Sequence, residues 1–336
     1  SPTLSPNQLV LRPCQKETLY YLPYDLYLNT RYNCGMTSLV ALITPLNLQE
    51  EKEKFLGSRT YNPVFHYIWQ DQAIEDLQFK NPLKHVLYNA ITNQDVNKIS
   101  TAALNLFEVK IEDETLKVAK NYAQVKGEKS KGSAAEYARL TREGLDYFGL
   151  IDVEVILTDQ GGFNARPQHK AKRILVSNHI QFEYFSMEGG VHHELVHCIR
   201  YYNGLHNKIK RSLNYLPTEE GLASWCQDNT NSDNGLAQHA MEYVATSVGL
   251  GGGSLRDIYE CFRDFGASSE LSWKRASRHK FGFIDTSTGG DIVKPAMYYA
   301  NELKVGQLSA SEKLRLFVGK ISLGELSAYP EYLGRW

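Results

Sequence analysis

The sequence has no excess of either charge, since 37 lysines and arginines stand against 38 aspartates and glutamates in 336 residues. Proteins that bind nucleic acid through a general electrostatic field usually carry a clear positive excess, so the composition argues against that class of partner. No apolar run in the sequence approaches the ~20 residues needed to cross a bilayer, so we expect no membrane association. The hydrophobic content of 42% and charged content of 22% are typical of a globular protein with a substantial core.

Cysteine is also scarce, and no two cysteines stand in a CxxC spacing. An odd, scattered set in a chain of this length suits free thiols in a reducing compartment better than a disulfide framework. The N-terminal residues lack the basic and apolar segments of a secretory signal. We therefore expect a cytoplasmic protein. The five cysteines are Cys14, Cys34, Cys198, Cys226 and Cys261.

Hydrophobic periodicity predicts a mainly helical α+β fold with a small sheet. Alternating or β-branched residues indicate two strands, and a polar turn region is predicted between them. Helical spacing indicates that most of the remaining chain is helical. The predicted helices include 48–56, 134–148 and 188–202, with helix formers throughout 81–124; the strands are 153–157 and 173–177, and the turn region is 159–170.

The strongest chemical signal is the sequence His-Glu-Leu-Val-His at 193–197. Residues four apart share one face of a helix, so the imidazoles of His193 and His197 can reach one metal ion. Glu194 can then reach the water bound there and act as a general base. The apolar flanks predict a buried helix, where three ionisable side chains are costly unless a metal compensates them. The alternative is a pair of histidines that form hydrogen bonds within the core.

A catalytic zinc usually has three protein ligands and one open position for water. The metzincin pattern is excluded, because it requires Gly and His where this chain has Arg200 and Asn203. His206 is a possible third ligand. A carboxylate supplied by the next predicted helix is the better candidate.

That next helix is predicted to begin near Thr218, which fits the role of N-cap. Glu219 and Glu220 then lie in its first turn, where either could be a metal ligand or could only complement the helix dipole. The spacing alone does not choose between the two glutamates.

Several segments together resemble the tyrosine carboxypeptidase family. They are the His-Glu-x-x-His helix, Arg200, Thr-Glu-Glu-Gly-Leu-Ala at 218–223 and Asp-Thr-Ser at 285–287. The animal members of this family are the microtubule-associated tyrosine carboxypeptidases, and bacterial relatives carry a Gln-Glu-Gly-Leu-Ala motif. Tyr-Asn-Pro-Val-Phe at 61–65 also resembles a segment of the animal enzymes. The resemblance is therefore distributed in islands along the chain.

The resemblance implies a zincin-like metallopeptidase fold, zinc as cofactor, and Glu220 as the third ligand beside His193 and His197. It also implies a carboxypeptidase that removes a C-terminal aromatic residue from a peptide or protein. The animal enzymes remove the terminal tyrosine of α-tubulin, so the tubulin tail or microtubules are expected partners and a cytoskeletal location is possible. The chain would then divide into an accessory segment, 1–60, packed on a catalytic domain, 61–336.

The histidine spacing departs from the family, which usually has His-Glu-x-x-x-His. Aligning the motif from the left keeps His193 as ligand and Glu194 as base. Aligning it from the right would make His192 the ligand and place His193 where the base belongs. We prefer the first alignment, because it preserves the glutamate and a regular helical spacing. The departure leaves open a zinc peptidase of a bacterial-type branch with another peptide substrate, or a catalytically silent microtubule-binding relative.

A carboxypeptidase must bind the free carboxylate of its substrate, and charge-assisted bonds from Arg or Lys are the strong ones. Arg275, Arg278 and Lys294 are the candidates for this role, and related proteins have similar positions after the metal helices. Tyr298 is the candidate for a hydrogen-bond donor to the oxyanion or substrate. The alternative is that the three cations are solvated surface residues. Arg200 is expected to form a structural ion pair.

Overall fold

The fold is known from a computed structural model that describes residues 38–71, 79–123, 132–160, 163–180, 186–229 and 235–329. Across these residues the protein is mainly helical and contains a small three-stranded mixed sheet, which confirms the predicted fold class in its general form. Cys14 and Cys34 lie outside the described residues. None of the helices within those ranges combines the length and the apolar character that a membrane span requires.

The helices of the described residues are numbered in chain order. They are α1 Leu39–Ile43, α2 Leu48–Leu56, α3 Ile68–Asp71, α4 Pro82–Thr92, α5 Val96–Phe107, α6 Asp113–Tyr122, α7 Ala134–Tyr147, α8 Met187–His206, α9 Leu216–Asp228, α10 Gly235–Leu250, α11 Leu255–Asp264, α12 Ser269–His279, α13 Met297–Gly306 and α14 Ala310–Arg315. Short 3-10 helices cover His169–Ala171, Lys294–Ala296, Leu316–Val318 and Leu323–Ala328.

Within the stretch 81–124, where helix formers predict helical structure, the described residues form three helices. Gln94 and Glu108 have φ angles of 51° and 52°, and this left-handed conformation ends the regular hydrogen bonding of a helix. Asp95 then caps the next helix, because its side chain accepts a hydrogen bond from the amide of Lys98. The composition therefore predicted the helical state, whereas local turn chemistry decides where each helix stops.

The sheet consists of β1 Glu154–Thr158, β2 Ala165–Gln168 and β3 Arg173–Ser177, in the order β1-β3-β2. β1 is parallel to β3, and β2 is antiparallel to it. The strand predicted at 173–177 is confirmed, and the strand predicted at 153–157 lies one residue later. The prediction of a turn region over 159–170 was wrong in part, because it contains β2. The segment is polar and contains Pro167, but an edge strand tolerates proline.

Helix α8 lies between two hydrophobic clusters. On one side, Val191 and Leu195 pack with Ile174 of the sheet. On another side, Val196 packs with Leu222 of α9. These two contacts fix the rotation of α8 about its axis, so its remaining polar face has a defined direction.

The described part of the N-terminal segment packs on the largest cluster. Leu39, Ile43 and Phe55 join residues of α10 to α13 in that core. This packing agrees with an N-terminal segment attached to the rest of the fold, while the boundary at residue 60 stays a prediction.

Helix α9 packs against both α8 and α13. Its contact with α13 is very close, since a Cβ added at Gly221 would lie 2.6 Å from the backbone carbonyl of Asn301. Only glycine leaves room for that approach.

The prediction that Thr218 caps α9 was wrong: the helix begins at Leu216, with Pro217 in its first turn, where the absence of an N–H costs nothing.

Candidate metal centre and adjoining pocket

Three side chains from α8 and α9 converge at one point. Nε2 of His193 lies 3.5 Å from Oε2 of Glu220, and Nε2 of His197 lies 3.7 Å from the same oxygen. Four ligands placed about 2.1 Å from a tetrahedral zinc ion are about 3.4 Å apart, so these separations fit a metal site. The three ligand atoms all lie within 4.8 Å of one another. The residues present can therefore hold a divalent ion.

The local sequence explains why the histidines share a face. Ser186 caps α8 by accepting a hydrogen bond from the amide of Gly189, and the helix then continues unbroken through the motif. The rings of His193 and His197 have centroids 5.0 Å apart, as expected for residues one helical turn apart. Glu220 reaches them from α9, which packs directly against α8.

Glu219 supports His197 from behind. Nδ1 of His197 donates a hydrogen bond to Oε1 of Glu219 at 2.8 Å, which turns Nε2 of the same ring toward Glu220. A carboxylate that holds the second nitrogen of a metal-binding histidine fixes its tautomer and raises its basicity. The two glutamates of this turn are therefore distinguished by position: Glu220 faces the candidate ion, and Glu219 orients a ligand.

Two buried cations hold Glu219 in place. Nζ of Lys320 lies 2.7 Å from Oε1 of Glu219, and a guanidinium nitrogen of Arg200 lies 3.6 Å from Oε2. Arg200 is fully buried and also donates to the backbone carbonyls of Leu316, Gly319 and Ile321. The expected structural ion pair of Arg200 is thus present. The hydrogen bonds of the same side chain connect α8 to the segment 316–321.

The electrostatics of the centre reflect burial and opposed charges. Burial disfavours protonation of His197, yet the carboxylates of Glu220 and Glu219 outweigh it and raise the pKa of His197 to about 9. Burial likewise raises the pKa of Glu219, but His197, Lys320 and Arg200 lower it far below its usual range. Burial also raises the pKa of Glu220, but the two histidines lower it below its usual value. Glu219 and Glu220 are therefore ionised, and the negative charge of Glu220 favours a cation beside it.

A pocket opens beside the histidines. Its wall includes His193, Glu194, Tyr298 and Arg278. Burial raises the pKa of Glu194, which suits a group that must accept and release a proton near neutral pH. The carboxylate of Glu220, followed by burial, raises the pKa of Tyr298, so its hydroxyl stays protonated and can donate a hydrogen bond.

The three cations predicted to bind substrate occupy different environments. Arg278 is exposed and lines the pocket. Lys294 is partly buried, and burial together with the charge of Arg278 lowers its pKa to about 8. Arg275 is buried, and its guanidinium lies 2.6 Å from Glu242, a carboxylate that lines the pocket. Arg275 therefore contacts the pocket wall, whereas Arg278 forms part of it.

The alternative ligands considered from the sequence lie elsewhere. His206 is exposed at the last turn of α8, and His192 is also exposed. Neither belongs to a group of converging ligands among the described residues. Cys198 is buried in the core, where burial raises the pKa of its thiol to about 12, so it is not an activated nucleophile.

A second group of converging ligands was missed in the sequence. Asp228, His239 and Glu302 also bring their ligand atoms within 4.8 Å of one another. They lie on three different helices, and no two share a short motif, so only the fold brings them together. His239 also lines the pocket, and its ring stacks on Tyr298 with centroids 5.6 Å apart.

The comparisons with known proteins do not assign the chain to a family. No family model matches the sequence, and no curated protein matches it significantly. The features of the chain that bear on its function are therefore the candidate metal ligands and the pocket beside them.

Proposed function

We propose that this protein is a zinc-dependent metallocarboxypeptidase with a zincin-like fold, which hydrolyses the peptide bond before a C-terminal aromatic residue. The observation that carries the proposal is the convergence of His193, His197 and Glu220 with Glu194 on the wall of the adjoining pocket. Two histidines and a glutamate with an accessible fourth position form the ligand set of catalytic zinc in several peptidases. The resemblance to the tyrosine carboxypeptidase family supports tyrosine as the residue released.

A zinc ion held by these ligands would lower the pKa of the attacking water and polarise the scissile carbonyl. Glu194 accepts the proton from that water and passes it to the departing amine. Tyr298 donates a hydrogen bond to the oxygen on which negative charge develops. Glu219 keeps His197 oriented throughout, and it does so without contacting the substrate.

Recognition of the chain terminus requires a cation within the pocket. Arg278 lines the pocket, and Lys294 lies close enough for each charge to act on the other. We assign binding of the terminal carboxylate to this pair, since such charge-assisted bonds are strong. Arg275 contributes through its buried pair with Glu242, which sets the position of that carboxylate on the pocket wall. The α-tubulin tail, in microtubules of the cytoplasm, is the proposed physiological substrate.

Substitution of the proposed base tests the chemistry. Glu194→Gln is expected to reduce release of tyrosine by about 100-fold or more, with bound zinc unchanged. The matched control is Glu188→Gln, which removes an exposed carboxylate from the same helix and is expected to retain activity. Full turnover by Glu194→Gln would contradict the mechanism.

Substrates with a blocked terminus test the specificity. Peptides ending in Glu-Tyr are expected to lose tyrosine, whereas the same peptides with an amidated C-terminus are expected to be resistant. Arg278→Met should raise KM for the free peptide, and Lys274→Met, an exposed change on the same helix, should leave KM unchanged. Cleavage of the amidated peptide would indicate another kind of peptidase. Detyrosination of purified tubulin, followed by mass spectrometry of the α-chain, tests the proposed substrate itself.

A further inference from the structure

A second buried group of charges lies next to the pocket. Asp228 is the last residue of α9, His239 lies in α10, and Glu302 lies in α13. Their side chains are only 6%, 5% and 7% exposed, respectively. Nδ1 of His239 is 3.3 Å from Oδ2 of Asp228 and 3.2 Å from Oε2 of Glu302. Two carboxylates and one imidazole nitrogen therefore converge on one small, buried volume.

The protein groups leave these charges incompletely compensated. Among the described residues, neither Asp228 nor Glu302 forms an ion pair with a lysine or arginine. Two other buried carboxylates do have such a partner: Glu219 is paired with Lys320, and Glu242 is paired with Arg275. Burying two carboxylates against a single imidazole is costly, and a cation removes most of that cost.

The hydrogen bonding is incomplete as well. Nδ1 of His239 carries at most one proton, so it can donate to only one of the two carboxylates. Oδ2 of Asp228 is buried and accepts no hydrogen bond, although it points toward that nitrogen. A buried carboxylate oxygen without a donor is rare in folded proteins, and a bound cation would satisfy it.

The distances fit a metal ion. Ligands about 2.1 Å from a tetrahedral zinc lie about 3.4 Å apart, and the two separations from Nδ1 are close to that value. The imidazole favours a first-row transition metal such as zinc over magnesium or calcium, which prefer oxygen ligands alone. We propose that Asp228, His239 and Glu302 form a second metal site, distinct from the site of His193, His197 and Glu220, and that it binds zinc.

This second ion joins the helices that build the first site. Asp228 lies on the same helix as Glu220, and Glu302 lies on the same helix as Tyr298. The ring of Tyr298 lies near a histidine of each site, with its centroid 6.4 Å from that of His193 and 5.6 Å from that of His239. The second ion thus locks α9, α10 and α13 together and holds the tyrosine beside the pocket. The binding itself does not depend on the proposed peptidase activity.

Zinc stoichiometry tests the proposal. The whole chain is stripped with a chelator, dialysed against zinc and analysed for metal per protein. Two equivalents are expected for the unaltered protein, one for Glu302→Gln and one for His193→Ala. Glu260→Gln, an exposed change on a neighbouring helix, is the control and should retain two. The proposal would be overturned if the unaltered protein binds a single equivalent of zinc and Glu302→Gln still binds it. If that single equivalent is lost in Glu302→Gln but kept in His193→Ala, only the first site would be overturned.

X-ray absorption at the zinc edge gives a test that needs no variant, in case Glu302→Gln fails to fold. The first site has two imidazole ligands and the second has one, so full loading predicts an average of one and a half imidazoles per zinc. Half loading should raise the average toward two if the first site fills first. A constant average of two at every loading, or sulfur ligands in the spectrum, would contradict the second site.

Discussion

Replacement of Glu219 by glutamine tests the strongest supporting contact in the metal centre. The carboxylate is only 3% exposed and is surrounded by the imidazole of His197, the ammonium of Lys320 and the guanidinium of Arg200. Glutamine has nearly the same shape but lacks the negative charge. It can still accept one hydrogen bond from His197, while it no longer neutralises the two cations behind it.

The expected loss has two parts. Removing the charged partner of a metal-binding histidine typically weakens metal affinity about 10- to 100-fold, which corresponds to about 1.4–2.8 kcal/mol. Leaving Lys320 and Arg200 buried without their carboxylate should also lower the free energy of unfolding of the metal-free protein by roughly 3–5 kcal/mol. The first effect is local to the site, whereas the second acts on the whole fold.

Competition with a zinc chelator measures the loss of metal affinity. The site concerned is identified as the one whose zinc binding is abolished in His193→Ala. Urea unfolding of the metal-free protein measures the loss of stability. Glu188→Gln is the matched control, because it removes an exposed carboxylate from α8 and should change neither quantity. If Glu219→Gln binds zinc as tightly as the unaltered protein, Glu219 does not orient His197 for metal binding.

Two further predictions concern stability. Burial disfavours protonation of His279, but Asp291 and Glu242 raise its pKa from 6.5 to about 9. The native protein therefore keeps a proton that the unfolded chain loses above pH 6.5, so the contribution of His279 to the free energy of unfolding is complete below that pH and decreases by roughly 3 kcal/mol as the pH rises through 9. Urea unfolding should show a smaller loss of stability over this pH range in His279→Gln. Gly221→Ala places a Cβ 2.6 Å from the backbone of its neighbouring helix and should destabilise the fold by about 1–3 kcal/mol. Gly306→Ala, whose nearest contact is 4.0 Å away, should be neutral or stabilising in the same thermal melts.

The part of the site that the sequence predicts is the part encoded within one helix. His193, Glu194 and His197 follow a fixed local spacing, and helical geometry alone brings the two imidazoles together. The choice of Glu220 over Glu219 is different, because it depends on how α9 is turned against α8. That rotation is set by Val196 and Leu222 in their shared core, while the close approach at Gly221 positions α9 against α13.

The rest of the site depends on contacts between residues far apart in the chain. Lys320 and Arg200 meet at Glu219, more than a hundred residues before Lys320 in the sequence. The second ligand group draws one residue from each of three helices. No period or motif relates such residues, so they can be found only from the fold. The same reason explains the missed strand β2, whose pairing with β3 outweighs its turn-like composition.

Anomalous diffraction from crystals of the zinc-loaded protein tests the central claim most directly. The account predicts a peak at the zinc edge about 2.1 Å from Nε2 of His193, Nε2 of His197 and Oε2 of Glu220. The peak should vanish in His197→Ala crystals prepared in the same way. Zinc-loaded crystals in which these three side chains face one another with no anomalous peak between them would contradict it.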